Sequence, residues 1–117
     1  MTKISVIVGD ERLTATLDDT PTARDFISLL PLDLTLQDYN RTEKVSYLPR
    51  NLDTSGAPAR YAAGTGDITY YAPFGTLAIF YKPFQAASGL VPMGRFDSSV
   101  TALLRSGSFP VRLELAD

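Results

Sequence analysis

Alternating apolar and polar residues at the start of the chain predict a β-hairpin. Ile4, Val6 and Val8 lie on one side of a first strand, and the pair Gly9–Asp10 supplies a turn. A second alternating run, over residues 13–17, follows at once. One face of this hairpin is therefore expected to be buried.

The period of the pattern then changes from two residues to that of a helix. Thr20 is a residue type that caps helices, and Pro21 fits the first helical position. Apolar residues recur at helical spacing from Ala23 to Leu30. Pro31 is expected to end this helix after about ten residues.

The remainder of the chain predicts more short strands. A second short helix, capped by Asp97 or Ser98, is expected to carry Val100, Leu103 and Leu104. Residues 49–66 are rich in Gly, Pro, Ala and Ser and predict a long irregular loop. The further strands are predicted near residues 32–37, 43–48, 68–71, 76–81, 90–96 and 109–115.

Seven or eight strands with two helices predict a single, mainly β domain over residues 1–117. The fold class expected is a closed or nearly closed antiparallel β-barrel of about eight strands, with two short helices covering its ends. An open sheet backed by both helices on one face is the structural alternative.

Composition and charge exclude several classes of protein. Hydrophobic residues make up 44% of the chain and charged residues 21%, which is typical of a globular domain. The net charge is −2 without a basic cluster, so no nucleic-acid partner is expected. No apolar run approaches the roughly eighteen residues of a membrane span, so no membrane partner and a cytoplasmic location are expected.

The chain contains neither cysteine nor histidine. This excludes disulfides, thiolate nucleophiles, Ser-His-Asp triads and imidazole metal sites. We therefore predict no metal site and no cofactor. Carboxylate, lysine, tyrosine or arginine chemistry remains, or no chemistry at all.

Aromatic residues are concentrated in residues 66–84, GDITYYAPFGTLAIFYKPF. Tyr70, Phe80 and at least one of Tyr71 and Tyr81 are expected to pack in or against the core, since rings bury large apolar areas. The other two rings, Phe74 and Phe84, lie in turns flanked by Pro and Gly and are expected to line the mouth of a cleft.

Charged residues give weaker indications of a functional site. Glu43 and Lys44 lie on opposite faces of a predicted strand, and we interpret them as ordinary solvated residues. Asp67 is interpreted as a turn residue. Arg95 is either a salt-bridge partner or a cation facing a groove.

The order of these elements resembles the cyclophilin-like fold, and in particular small bacterial cyclophilin-like proteins of unassigned role. The segments that carry the resemblance are PTARDFISLLP, GTLAIFY and GLVPMGRFDSSVTALL. In cyclophilins an apolar pocket holds a proline ring while an arginine hydrogen-bonds the prolyl nitrogen. That contact favours the twisted amide, whose rotation otherwise faces a barrier of about 18–20 kcal/mol.

The resemblance supports an apolar pocket more strongly than it supports isomerase catalysis. Ile79 stands where the family has the phenylalanine of the proline pocket, Leu77 where it has a glutamine, and Leu90 near its histidine. Arg41, in Tyr39-Asn40-Arg41-Thr42, is the match to the catalytic arginine, and Arg50 and Arg60 compete with it.

The sequence therefore leads to a binding hypothesis. The chain is expected to be a binding module for a proline-containing peptide or a small apolar ligand, without the catalytic residues of the family. The alternative is a peptidyl-prolyl cis-trans isomerase that uses a groove arginine. Self-association as a homodimer, through edge strands or aromatic loops, is a further alternative. The groove is predicted to contain Phe74, Leu77, Ile79, Phe84 and Leu90.

Overall fold

Eight antiparallel strands form a closed barrel in the computed structural model, which describes residues 1–116. Neighbouring strands follow the order β1-β10-β3-β4-β7-β6-β9-β2 around the barrel, and β5 pairs with β8 in a separate two-stranded sheet. The strands are β1 (Thr2–Val8), β2 (Glu11–Leu17), β3 (Leu32–Tyr39), β4 (Glu43–Tyr47), β5 (Arg60–Tyr61), β6 (Asp67–Tyr71), β7 (Thr76–Phe80), β8 (Ala87–Ser88), β9 (Leu90–Phe96) and β10 (Phe109–Leu115).

The interior of the barrel is filled by the residues that alternate along its strands. Ile4, Val6 and Val8 of β1 are fully buried, as the hairpin pattern predicts. Leu36 of β3 and Leu113 of β10 join them in the same cluster. The predicted closed barrel of about eight strands is confirmed, and the open-sheet alternative is wrong.

Helix α1 (Pro21–Ile27) begins as the sequence predicts. The Thr20 hydroxyl accepts a hydrogen bond from the Ala23 N–H at 3.2 Å, and Pro21 occupies the first turn. Ala23 and Phe26 are buried in the barrel core. The helix is shorter than the expected ten residues.

The prediction of two helices is wrong. The second predicted helix is a single 3-10 turn, Thr101–Leu103. Val100 and Leu103 still pack into the core, whereas Leu104 is exposed. The turn does not continue as an α-helix because the backbone of Leu104 leaves the helical region, with φ −86° and ψ 49°. In residues 1–116 no helix is long and apolar enough to cross a membrane.

The predicted long irregular loop, residues 49–66, contains the short strand β5 and is fixed to the barrel at several points. Asp25 of α1 accepts two hydrogen bonds from Arg50, at 3.0 and 2.8 Å, and one from the Asp53 N–H at 2.7 Å. The Leu52 side chain is buried, and its N–H donates to the Tyr70 hydroxyl at 3.2 Å. These contacts lower the pKa of Asp25, the Arg50 hydrogen bond most of all.

Asp67 anchors the far end of this loop. It is almost fully buried and accepts hydrogen bonds from the Tyr61 hydroxyl at 2.5 Å, the Gly64 N–H at 2.8 Å and Arg95 at 2.9 Å. The salt-bridge interpretation of Arg95 is therefore confirmed. Asp67 is the first residue of β6, and its carboxylate accepts hydrogen bonds from three groups around it. The interpretation of Asp67 as a turn residue is therefore incomplete.

The barrel closes where β2 pairs with β9. Leu17 lies opposite Gly94, and the two backbones approach very closely there. A Cβ atom on Gly94 would lie 2.2 Å from the Thr16 carbonyl oxygen and 2.7 Å from the Leu17 Cα. The absence of a side chain at position 94 therefore allows the last seam of the barrel to form.

We expect Gly94→Ala to destabilise the fold by at least about 3 kcal/mol, because the new methyl group meets backbone atoms that cannot move away independently. Urea unfolding measures the loss. Gly64→Ala is the matched control: its Cβ would have 3.9 Å to the nearest atom, a carboxylate oxygen of Asp67, so a change within about 1 kcal/mol is expected. Equal midpoints for the two variants would contradict this account of barrel closure.

Candidate functional site

A cavity with a volume of about 370 Å³ lies on the outer wall of the barrel, over strands β3, β4, β7 and β6. Cross-strand registers explain its shape. Tyr39, Glu43 and Phe80 form one row across β3, β4 and β7, and Tyr47 and Tyr71 flank Thr76 in another. We call this cavity the outer groove. Its aromatic lining consists of Tyr39, Tyr47, Tyr71, Phe74, Phe80 and Phe84.

The two aromatic rows enclose a row of smaller residues. Val45 of β4 lies opposite Gln37 on one side and Ala78 on the other. Since side chains on one face of a sheet stand roughly perpendicular to it, small residues between rows of rings leave a depression. The outer groove thus follows directly from the residue sizes in these strands.

A second hydrophobic cluster, separate from the barrel core, lies beside the outer groove, and its buried members Phe80 and Leu90 line the groove. Ala63, Ala78, Phe80 and Leu90 are its buried members. The Phe80 and Phe84 rings stack with centroids 5.9 Å apart and planes at 29°. This stacking holds the segment after β7 against the barrel wall.

The Phe74 ring forms part of the rim. The tight turn between β6 and β7 is closed by the Gly75 N–H, which donates to the Tyr71 carbonyl at 2.9 Å. Phe74 packs edge-to-face on the Tyr71 ring, with centroids 5.1 Å apart, yet 56% of it is exposed. The turn therefore presents a partly ordered, accessible ring at the groove mouth.

Three of the five residues predicted for the groove line it: Phe74, Phe84 and Leu90. The placement of Leu77 and Ile79 there is wrong. Both side chains are buried in the barrel core, because the outward positions of β7 are Thr76, Ala78 and Phe80.

Among the other predicted rings, Tyr70 and Phe80 are buried as expected. Tyr70 lies in the barrel core and Phe80 in the second hydrophobic cluster. Tyr71 and Tyr81 are partly buried and pack against these clusters.

No arginine or lysine is among the described residues that line the outer groove. Arg41 lies in the β3–β4 turn with a left-handed backbone, and its N–H donates to Asp38 at 3.0 Å. Arg50 is paired with Asp25, and Arg60 donates to the Ala86 carbonyl at 3.2 Å. The structure does not bring a guanidinium group to the groove lining.

Glu43 is the ionisable residue that the sequence interpretation missed. It lies within the outer groove, between Tyr39 and Phe80 in the neighbouring strands. Burial, together with repulsion from Asp38, raises the pKa of Glu43 to about 7. Within residues 1–116 its carboxylate has no salt-bridge partner.

Lys44 points the other way, into the end of the barrel, so opposite faces for Glu43 and Lys44 are confirmed. The interpretation of both as ordinary solvated residues is wrong. Lys44 is only 4% exposed, its Nζ donates to the Arg105 carbonyl at 2.8 Å, and it lies 5.5 Å from the Phe109 ring centroid. It also pairs with Asp38 at 3.4 Å.

Asp38 completes a polar cluster behind the groove. It accepts a hydrogen bond from the Tyr81 hydroxyl, and this bond contributes most to lowering the pKa of Asp38. Burial and the same bond raise the pKa of Tyr81 to about 12. Lys44 and Asp38 are thus satisfied by one another and by backbone groups, whereas Glu43 is left facing the groove.

One sequence signal could have identified Glu43. It shares a strand face with Val45 and Tyr47, so alternation places a lone carboxylate in an apolar and aromatic row. The burial of that row depends on Phe80 and Phe84, which come from distant parts of the chain.

An antiparallel eight-stranded barrel with one short helix packed into its core and an apolar groove on its outer wall defines a protein of the cyclophilin-like class. The model of the Cyclophilin-like family matches residues 6–114, so the chain belongs to this family. The resemblance to the cyclophilin-like fold is confirmed.

One solved structure gives a similar fold. It is the solution structure of a hypothetical protein from Archaeoglobus fulgidus, with a TM-score of 0.75 and 17% identity, covering 98% of this chain and 95% of the other. At this identity the likeness shows the fold alone. No curated protein matches the chain.

The raised pKa of Glu43 predicts a pH-dependent cost in stability. A carboxyl whose folded pKa is about 7, against 4.5 in the unfolded chain, stabilises fully below the lower value and loses that contribution as the pH rises through the upper one. Glu43→Gln should therefore become more stable than the natural protein by about 1–2 kcal/mol between about pH 4.5 and 8, allowing for partial solvent exposure.

Urea unfolding at a series of pH values measures this difference. Glu11→Gln removes an exposed carboxylate from β2, which lies across the barrel from β4, and serves as the control. A stability difference for Glu43→Gln that stays constant over this pH range would contradict the burial of the carboxyl.

Proposed function

We propose that this protein is a binding module for a small apolar ligand or a proline-containing peptide, and that the outer groove is its binding site. The observation that carries this proposal is the composition of the groove lining: six aromatic rings around a cavity of about 370 Å³. Cavities of roughly 300–1,000 Å³ with mostly apolar walls and a few polar groups are typical of small-molecule sites.

The distribution of exposed rings supports the same site. Six large hydrophobic side chains are exposed among residues 1–116, and Tyr39, Tyr47 and Phe74 among them line the outer groove. Aromatic side chains gathered at one concave surface are a common feature of protein binding sites.

Binding is favoured over isomerisation by the groups that surround the groove. Rotation about an X–Pro bond is accelerated when a donor meets the prolyl nitrogen in the twisted state, so a guanidinium must reach the bound proline. Arg50 is engaged with Asp25 and Arg60 with a backbone carbonyl. Arg41, in the turn next to the groove residue Asn40, is the arginine left for the alternative function as a peptidyl-prolyl isomerase.

Removal of the Phe74 ring should weaken binding. We expect Phe74→Ser to reduce the affinity for an apolar aromatic probe such as 2-phenylethanol about tenfold, since this change corresponds to about 1.4 kcal/mol, within the range found when an aromatic contact residue is truncated. Chemical-shift titration of the backbone amides measures the dissociation constant and locates the site. Leu104→Ser, which removes an equally exposed apolar side chain outside the groove, should leave the affinity unchanged. Shifts confined to residues outside the outer groove would contradict the proposed site.

A protease-coupled assay on an Ala-Pro peptide separates binding from catalysis. We expect no acceleration of cis-trans isomerisation above the uncatalysed rate, and the same result for Arg41→Ala. Proline-specific acceleration that disappears in Arg41→Ala would establish the isomerase alternative instead.

A further inference from the structure

The outer groove combines aromatic rings with a single carboxylate. Glu43 lies in one row with Tyr39 and Phe80, and Phe84 stacks on Phe80. Its lining contains no basic side chain among the described residues. The groove therefore offers negative charge and ring surfaces to whatever occupies it.

The nearest basic residue along the chain does not neutralise this charge. Lys44, the next residue, points into the barrel and is held by the Arg105 carbonyl and Asp38. Asp38 adds a second negative charge behind the groove and repels the Glu43 carboxylate. An ionised Glu43 is thus a partly buried charge that lacks a counter-ion within residues 1–116, and such a charge is costly until a cation approaches.

We propose that the outer groove recognises an organic ammonium cation, with Glu43 as the counter-ion and the surrounding tyrosine and phenylalanine rings contacting the apolar part of the ligand. This inference rests on the proposed binding function and specifies its ligand class. A cation over an aromatic face is attracted by the ring quadrupole, and the attraction increases when water is excluded.

Other ligand charges fit the groove less well. A divalent metal ion requires several oxygen ligands, and residues 1–116 contain no group of three or more carboxylates that could hold one. An anion would be repelled by Glu43 in the lining and by Asp38 behind it. A neutral peptide can donate an N–H to an ionised carboxylate, but it leaves the charge of that carboxylate without a counter-ion.

The protonation of Glu43 gives the proposal a distinctive pH dependence. Since burial raises its pKa to about 7, much of the carboxylate is protonated near neutrality, and an ammonium ligand binds the ionised form better. The affinity for a cation should therefore increase as the pH rises from about 6 to 8.

Two neighbouring groups do not titrate in this window. The pKa of Asp38 is lowered, chiefly by its hydrogen bond from Tyr81, and that of Tyr81 is raised to about 12. The charged and titratable groups around Glu43, on β3, the β3–β4 turn, β4, β6 and the end of β7, are Asp38, Tyr39, Arg41, Lys44, Tyr47, Tyr71 and Tyr81.

Three probes of similar size and different charge test the proposal. They are 2-phenylethylammonium, neutral 2-phenylethanol and anionic 3-phenylpropionate, each titrated into the 117-residue chain at about pH 8 with amide chemical shifts as the readout. The cation should bind at least about tenfold more tightly than the alcohol, and the anion most weakly. This comparison needs no substitution.

Glu43→Gln tests the counter-ion directly, because it keeps the shape of the side chain and removes its charge. The tenfold preference for the cation should disappear, and its affinity should no longer change between about pH 6 and 8. Glu11→Gln, which removes the same charge from the opposite side of the barrel, should retain both the preference and the pH dependence.

The outcomes separate the ligand class from the binding function. Equal affinity for the amine and the alcohol at the outer groove would overturn the cation proposal while leaving the proposed function in place. Cation affinity that falls as the pH rises would also overturn it, since an ionised Glu43 would then not be attracting the ligand. No groove shifts with any of the three probes would overturn both.

Discussion

Strand β7 is buried on both of its faces, and the structure on either side of the barrel wall depends on it. Its inward residues Leu77 and Ile79 pack in the barrel core. Its outward residues Ala78 and Phe80 belong to the second hydrophobic cluster, beside the outer groove. The same strand fixes β4 by five cross-strand pairs, from Glu43–Phe80 to Tyr47–Thr76. One strand therefore sets both the filling of the barrel and the positions of the groove residues.

This two-sided burial also explains which parts of the sequence interpretation were wrong. In the first hairpin, polar residues alternate with apolar ones, so the buried face can be read directly. In TLAIF every side chain is apolar or small, and alternation alone does not say whether Leu77 and Ile79 or Ala78 and Phe80 face the core. Matching the chain to cyclophilins position by position placed Leu77 and Ile79 in the groove instead of the barrel core, although the same resemblance identified the fold. The number of barrel strands, set by the spacing of turns and apolar runs, was predicted correctly.

The environments of Glu43 and Lys44 were not predictable from local sequence for a different reason. Their burial comes from residues remote in the chain: Phe109 and the Arg105 carbonyl surround Lys44, and Phe80 lies beside Glu43. A polar residue in a strand is usually solvated, and only the tertiary structure shows which of them is covered. Local alternation correctly predicted that the two side chains diverge, but it carried no information on what each one meets.

The buried charges of this protein differ in how completely they are satisfied. Asp67 accepts three hydrogen bonds and Lys44 meets a carbonyl, a carboxylate and two rings, so each is compensated within the fold. Glu43 alone among these three lacks a salt-bridge partner in the described chain. A fold that compensates Asp67 and Lys44 so fully leaves Glu43 as the exception, and exceptions to local consistency concentrate at functional sites. The uncompensated carboxylate therefore lies where the aromatic lining leaves room for a ligand. A cationic ligand would offset the cost of this partly buried charge.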